Sequence, residues 1–431
     1  MSDPAQLLLV FGLFVGLLAL RVPVAFCLGL SAFAYFFAAG IPALVVVQKI
    51  ASQSADTTLL AIPFFILCGE IMSRGGMAGR LVDLANVFVG FIRGGLAMVN
   101  VAASMFFGGI SGSSVADTSS LGALLIPAMT QRGYDRDFSV AVTVTSSTQG
   151  IIIPPSHNAI LFSLAAGGTV SIKALFLAGY LPGLLIGLAL MTLAHGVARR
   201  RGYPREERVG PRRALSIAVG ALPALLTPLI IIVPIALGRV PAHQAAVVAV
   251  VWSALVSTLV YRSLPLREYP GILVRSARTA SLVLILIGCA AAFGEVMTYL
   301  HVPQQLAAAL AGFVDSPYAL LLLINVAVLL LGMVMDMAPL IVILTPILLP
   351  VVTAAGVDPV HFGVILLINL AIGLCTPPVG STLFVGCAIG EISMERATRG
   401  LWPFYLAMVA ILLLVTLVPE LSLWLPRWVG G

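Results

Sequence analysis

Two polar stretches interrupt an otherwise apolar chain and carry much of its reactive chemistry. The first reads Gly108-Gly109-Ile110-Ser111-Gly112-Ser113-Ser114-Val115-Ala116-Asp117-Thr118-Ser119-Ser120, with seven Ser, Thr or Asp residues between 111 and 120. Such a run is costly inside lipid unless its groups are satisfied. A helix cap on Ser114 or Asp117 needs one polar residue and leaves the rest unexplained. A loop that coordinates a cation through hydroxyls and freed carbonyls accounts for the excess. The second stretch reads Gly332-Met333-Val334-Met335-Asp336-Met337-Ala338-Pro339. Asp336 is read as an intramembrane charge, hence a functional candidate, or as an N-cap with Pro339 at the first helical position; the roles are compatible. The three methionines make this stretch adaptable.

Two further interruptions complement these. One runs Thr145-Ser146-Ser147-Thr148-Gln149-Gly150, then Pro154-Pro155-Ser156-His157-Asn158; the other runs Gly373-Leu374-Cys375-Thr376-Pro377-Pro378-Val379-Gly380-Ser381-Thr382. Each proline pair removes two backbone donors and bars the preceding residue from the helix, so Pro154, Pro155, Pro377 and Pro378 are expected structural breaks. Helix ends near 109, 150, 332 and 373 present carbonyls, and helix starts near 115, 155, 339 and 378 present amides. Partial negative charge collects at the first set and partial positive charge at the second. The reading is two pseudo-symmetric Na⁺ sites, one per tip and break, with an anionic substrate between them.

The elements that must hold these residues are written in duplicate. Gly109, Pro127, Thr130, Gly133, Asp135, Gly150, Pro154, Pro155 and Gly167 recur 223 positions later as Gly332, Pro350, Thr353, Gly356, Asp358, Gly373, Pro377, Pro378 and Gly390. Gly69-Glu70-Ile71-Met72 recurs as Gly294-Glu295-Val296-Met297 at an offset of 225. A span needs about 20 apolar residues. Ten crossings are expected, at 6–20, 22–39, 58–73, 137–167, 173–198, 214–238, 243–261, 272–298, 360–390 and 401–425. Segments 95–131 and 318–352 are expected to be re-entrant hairpins, with short interfacial helices at 81–92 and 303–313. The fold class is thus an all-α polytopic membrane protein. Its parts are scaffold spans in 1–55, a first repeat core in 56–199, a basic loop and scaffold spans in 200–271, and a second repeat core in 272–431.

Charge supports this layout. With the Arg199–Arg213 cluster placed in the cytoplasm, nineteen of the 23 Lys and Arg fall inside. Lys49, Lys173, Arg239 and Arg427 fall outside, which sets the N-terminus in the periplasm. Each half then has five crossings, an odd number, so the second half is inverted relative to the first, the plan of secondary transporters. The first hairpin opens to the cytoplasm and the second to the periplasm.

The chain is 60% hydrophobic and 9% charged, far from a soluble domain's quarter of charged residues. Its net charge of +6 is therefore a topology signal and not a nucleic-acid footprint. The first apolar run carries no cleavage pattern and is read as a retained span. Five cysteines without CxxC spacing exclude a disulfide framework and a thiolate metal site. His157 is read as a core histidine, Glu70 and Glu295 as structural pairing groups, and Asp135 and Asp358 as turn residues. A membrane hydrolase built on Asp117, Asp336 and the serines lacks HExxH, GxSxG or paired-Asp motifs. A passive scaffold leaves the polar tips unexplained.

At FFGGISGSSVADTSSLGALLIPAM (106–129), IIIPPS (151–156) and TPPVG (376–380), the sequence resembles the large membrane subunit of the tripartite ATP-independent periplasmic (TRAP) transporters, along essentially its whole length. That resemblance implies Na⁺-driven import of a small organic anion, such as a C4-dicarboxylate or sialic acid, across the bacterial inner membrane. It implies an elevator-type fold of the ion-transporter superfamily, no catalysis and no organic cofactor. It also implies a periplasmic substrate-binding protein and a small four-helix membrane subunit. Because the chain opens on the large subunit's first span, that small partner is expected as a separate polypeptide. Carried over, Ser111, Ser113, Ser114 and Gly150 form one Na⁺ site, and Gly332, Asp336, Gly373 and Thr376 the other. Ser156, Asn158, Ser381 and Thr382 lie nearest the substrate. The alternative is a self-sufficient Na⁺/dicarboxylate symporter without partner subunits.

Overall fold

A computed structural model describes residues 3–42, 44–54, 57–311 and 316–430. The described residues are helical throughout, without strands. Seven helices are long and apolar enough to cross a membrane: Thr57–Arg74, Ile172–Arg201, Pro211–Ala236, Ala242–Val260, Leu266–Tyr299, Met337–Ala354 and Met394–Leu417. The other expected spans are built from shorter apolar helices, including Val24–Ala38, Pro359–Gly373 and Ser381–Gly390.

The hairpins form where the glycines and prolines punctuate. Helices Gly95–Ser111 and Ser114–Gln131 make the first, turning on Gly112 at φ 62°. Helices Pro317–Gly332 and Met337–Ala354 make the second. The first broken crossing is Arg136–Ser147 with Gln149–Ile152, then His157–Ala165 beyond the cis Pro154–Pro155 pair. The second is Pro359–Gly373, then Ser381–Gly390 beyond the cis Pro377–Pro378 pair. Helices Met77–Val89 and Val302–Ala311 stand where short helices were expected at 81–92 and 303–313; residues 312–313 lie outside the described residues.

The broken crossings run antiparallel. Gly390 and Gly386 are packed against Val140 and Val144, while Phe362 meets Phe162 with ring centroids 6.2 Å apart. The start of one and the end of the other are tied by Arg136 and Glu391 at 3.4 Å. Residues just past the first hairpin, Arg132 and Asp135, pair with Glu206 and Arg201 at that same end. At the opposite end His361 meets Ser422 at 2.7 Å, close to the base of the second hairpin. The bases of the two hairpins therefore lie at opposite ends of the broken crossings, as inverted halves require.

Around this block stand Asp3–Ala19, Val24–Ala38, Pro211–Ala236 and Ala242–Leu255. Repeats exchange partners here: Ala61–Arg74 packs on Ala242–Leu255, and Tyr269–Tyr299 packs on Val24–Ala38. Glu70 lies near Arg74 and Arg275 at 3.6 and 3.8 Å, whereas Glu295 pairs with Lys49 at 2.9 Å.

Two elements differ from the sequence expectation. Leu44–Ser54 is an additional helix that packs along Tyr269–Tyr299, where Ile50 lies against Gly288. The expected last span, 401–425, is instead Met394–Leu417, capped by Ser393, followed by a separate helix Glu420–Gly430. Pro419 explains the division, because Val418 before it is pushed to φ −122°, ψ 85°, outside the helical region.

Candidate functional site

Each tip meets the break of its own half where side chains are absent. Gly108 crosses Gly150 so closely that a Cβ on Gly150 would lie 2.9 Å from the Gly108 Cα. In the second half a Cβ on Gly373 would lie 2.6 Å from the Gly332 carbonyl carbon. Backbone thus meets backbone where carbonyl ends converge, a role open only to glycine. The crossing in the first half uses Gly108, one residue before the repeat position Gly109.

The first tip is sealed. Ser113 caps the second arm, accepting from the Ala116 N–H at 3.4 Å, so the cap falls on neither Ser114 nor Asp117. Ser114 and Asp117 are 2% and 0% exposed. Ser111 donates its hydroxyl to one Asp117 oxygen. The other oxygen, Asp117 Oδ2, has no hydrogen-bond partner and faces Gly150. Thr118 Oγ1, Ser156 Oγ and the whole Gln149 amide are likewise buried without partners. Buried polar atoms are nearly always satisfied, so these groups stand out along the first tip and its break.

The second tip is open. Asp336 is exposed at the N-cap of Met337–Ala354, where it accepts from the Met337 N–H at 3.0 Å; Pro339 sits inside the first turn, where its missing N–H costs nothing. Ser381 reaches Asp336 at 3.5 Å, and the Val379 N–H donates to the Met333 carbonyl at 3.1 Å. Thr376 spends its hydroxyl on the Ile372 carbonyl at 2.7 Å. The two half-helices also satisfy each other partly: Thr382 N–H donates to the Leu374 carbonyl at 3.1 Å, so that carbonyl is not free as expected.

The substrate candidates divide accordingly. Ser156 and Asn158 are 1% and 4% exposed, and Asn158 donates to the Gly112 carbonyl at 3.4 Å, tying break to tip. Thr382, fully buried, crosses to the other repeat and meets Ser114 at 2.7 Å. Ser381 alone is half-buried and not sealed, beside Asp336. The donors are hydroxyl, carbonyl and carboxylate oxygens, and no cluster of three His, Cys, Asp or Glu occurs among the described residues. That is a donor set for a hard cation and not for a transition metal.

Supporting residues escaped the sequence reading. Ser146 donates to Asn100 at 3.3 Å, joining arm to broken crossing. Asn369 donates to Asn325 at 3.0 Å in the corresponding place. Their offsets, 223 and 225, were the available signal. Gly179, Gly183 and Gly187 on Ile172–Arg201 form a four-spaced stripe against Ile152, Ile153 and Gln149. This small-residue spacing is what lets transmembrane backbones approach.

Comparison with known proteins places this architecture. The family model described as "Tripartite ATP-independent periplasmic transporter, DctM component" matches residues 11–421. The C4-dicarboxylate TRAP transporter large permease protein DctM of Pseudomonas aeruginosa is 40% identical over 382 residues, 89% of each chain. The sialic acid TRAP transporter large permease protein SiaM of Vibrio cholerae is 36% identical over 419 residues, 97% of each chain. The isethionate TRAP transporter permease protein DctMQ of Oleidesulfovibrio alaskensis is 39% identical over 98% of this chain, which spans 66% of that longer protein. Among solved structures, the Alcanivorax borkumensis YdaH transporter shares the fold at a TM-score of 0.63 and 14% identity, covering 86% of each chain.

Proposed function

The chain belongs to the tripartite ATP-independent periplasmic transporter family as its DctM component, a multi-pass membrane permease and not an enzyme, and from that premise we propose that it couples Na⁺ entry to import of a small organic anion. The observation that carries this reading is the pairing of each tip with a break, where glycine-to-glycine crossings bring carbonyl ends and oxygen side chains together. Ser111, Ser113, Ser114 and Gly150 serve one Na⁺, and Gly332, Asp336, Gly373 and Thr376 the other. A bound Na⁺ supplies positive charge beside the amide ends of His157–Ala165 and Ser381–Gly390, where a carboxylate is then held. Ser156, Asn158, Ser381 and Thr382 orient that carboxylate.

The motion is an elevator, with hairpins and broken crossings moving as one block. A crevice of about 270 Å³ runs between Leu161, Leu164, Val342 and Pro346 of that block and Lys49, Ile287 and Glu295 of the neighbouring helices Leu44–Ser54 and Tyr269–Tyr299, which supports a sliding boundary there. The substrate arrives on a periplasmic binding protein, and a small membrane subunit completes the frame. The fused DctMQ relative, of which this chain spans 66%, supports a small partner beside it. The protein lies in the bacterial inner membrane with its N-terminus in the periplasm.

Reconstitution tests the whole reading. Proteoliposomes holding this permease and its small subunit should accumulate a carboxylate only with the loaded binding protein and an inward Na⁺ gradient. Equal uptake by the permease alone identifies a self-sufficient symporter. Uptake indifferent to Na⁺ removes the coupling.

A further inference from the structure

Four of the 23 Lys and Arg are expected on the periplasmic side, and two of them share one cavity. Lys173 and Arg239 are far apart in the chain, yet both line a space of about 530 Å³ together with His243. It lies between the block, at Ser163 and Leu164 of His157–Ala165, and the frame, at the turn that joins Pro211–Ala236 to Ala242–Leu255. Leu164 lines both this cavity and the crevice described above.

These side chains sit against local electrostatics. Lys173 stands in the first turn of Ile172–Arg201 and His243 in the first turn of Ala242–Leu255, where the helix dipole already concentrates positive charge and an acidic residue is favoured. Neither first turn holds an acidic residue. Among the described residues, no acidic side chain lines the cavity, and neither Lys173 nor Arg239 makes an ion pair. Lys173 and His243 are half-buried and Arg239 is exposed. Basic residues are also disfavoured on the translocated side of a membrane protein. Positive charge gathered against both preferences focuses a field that attracts an anion. The volume suits a small organic acid. His157–Ala165 leads from Ser156 and Asn158 at the break to this cavity at its other end, about 13 Å at 1.5 Å per residue.

We propose that this cavity is a second anion site, where Lys173 and Arg239 hold a carboxylate cargo before it reaches the tips and breaks. The inference rests on the organic-anion reading above and adds to it a binding step at the boundary of block and frame. Recognition there is by charge and not by shape, since Lys173 offers a flexible point charge and Arg239 stands exposed on a turn. Carboxylates of differing size therefore bind it alike.

The charge of the cavity is tested without transport. Val240 lines it beside Arg239, and the five native cysteines are buried. Val240→Cys in the purified permease with its small subunit, held in K⁺, is labelled with an anionic (sulfonatoethyl) or a cationic (trimethylammonioethyl) methanethiosulfonate, each rate taken relative to that of a free thiol. The anionic reagent should be favoured by about tenfold or more, and adding Lys173→Gln and Arg239→Gln should abolish the preference. Succinate, but not its neutral diamide, should slow the labelling. If the doubly neutralised protein does not fold, high salt should remove the preference in Val240→Cys itself. Equal rates for the two reagents, or labelling indifferent to succinate, overturn the proposal. Protection by the unloaded binding protein and not by succinate identifies a docking surface and overturns it likewise. The measurement needs neither Na⁺ nor uptake, so the coupled-transport reading stands or falls separately, on reconstitution.

Discussion

Ser114 of the first hairpin and Thr382 of the second broken crossing share a hydrogen bond of 2.7 Å across 268 residues of chain. Both hydroxyls are buried, so each depends on the other. The bond joins the inverted halves at their centre, between a residue assigned to a cation site and one assigned to substrate. Removing either partner strands the other in an apolar site. Ser114→Ala and Thr382→Val should each destabilise the protein, and a double-mutant cycle of thermal unfolding should give a coupling of about 0.5–1.5 kcal/mol. Additive losses would show that the two hydroxyls are satisfied separately.

The glycine crossings predict a contrast between substitutions of identical chemistry. Gly373→Ala places a Cβ 2.6 Å from the Gly332 carbonyl carbon, and neither backbone can move aside cheaply. It should cost about 1–3 kcal/mol and abolish uptake. Gly196→Ala, on a helix and with nothing within 4 Å, should be neutral or slightly stabilising. Comparable melting temperatures for the two variants would contradict the packing described.

Coupling should fail separately at the two tips. Ser113→Ala and Asp336→Ala should each reduce the Na⁺ dependence of uptake, raising the Na⁺ concentration for half-maximal rate by about tenfold or more. Ser113 also caps its helix, so its variant should lose about 1 kcal/mol of stability as well. Full retention of Na⁺ dependence in both variants counts against the paired sites.

The end of the block that holds Asp135 carries a modest pH-dependent tie. The Tyr203 hydroxyl and the Arg201 guanidinium, at 2.6 and 2.7 Å from Asp135, hold its carboxyl below the usual carboxylate range. A lowered value in the folded state means that the stabilisation is present above the unfolded value, about 3.9, and fades as pH falls through the folded one. Asp135 is 53% exposed, so the tie is worth about 0–1 kcal/mol. Asp135→Asn should lower the melting temperature slightly at pH 7, and the difference from wild type should close below about pH 4. A difference that persists unchanged at pH 3 would assign the loss to something other than this carboxylate.

Much of the architecture was legible because helix breakers are expensive within lipid and were written twice. The expected hairpin 95–131 appears as Gly95–Gln131, and 318–352 as Pro317–Ala354. The proline pairs interrupt both crossings as expected. Leu44–Ser54 was not legible, because Gln48, Lys49, Gln53 and Ser54 dilute its apolar pattern. The split at Pro419 could have been read from Val418-Pro419 but was hidden by hydrophobicity on both sides. At the site, residue types were legible and pairings were not. Nothing in the spacing joins Ser114 to Thr382, since that contact depends on how two inverted halves cross. Asp117 stood in view within the hydroxyl run, but only its burial and its unpartnered oxygen distinguish it from a cap.

On the proposed function, the paired tips and breaks form one cargo site reached in turn from the two faces of the membrane. The most direct test is a single reporter, Ser381→Cys, beside Asp336 on the open side of the site; the five native cysteines are buried. In sealed vesicles, with a membrane-impermeant thiol reagent applied to one face at a time, this position should be labelled from both faces, with a balance that shifts between Na⁺ and K⁺. Labelling from one face alone, whatever the ion, would rule out a site exposed in turn to both faces.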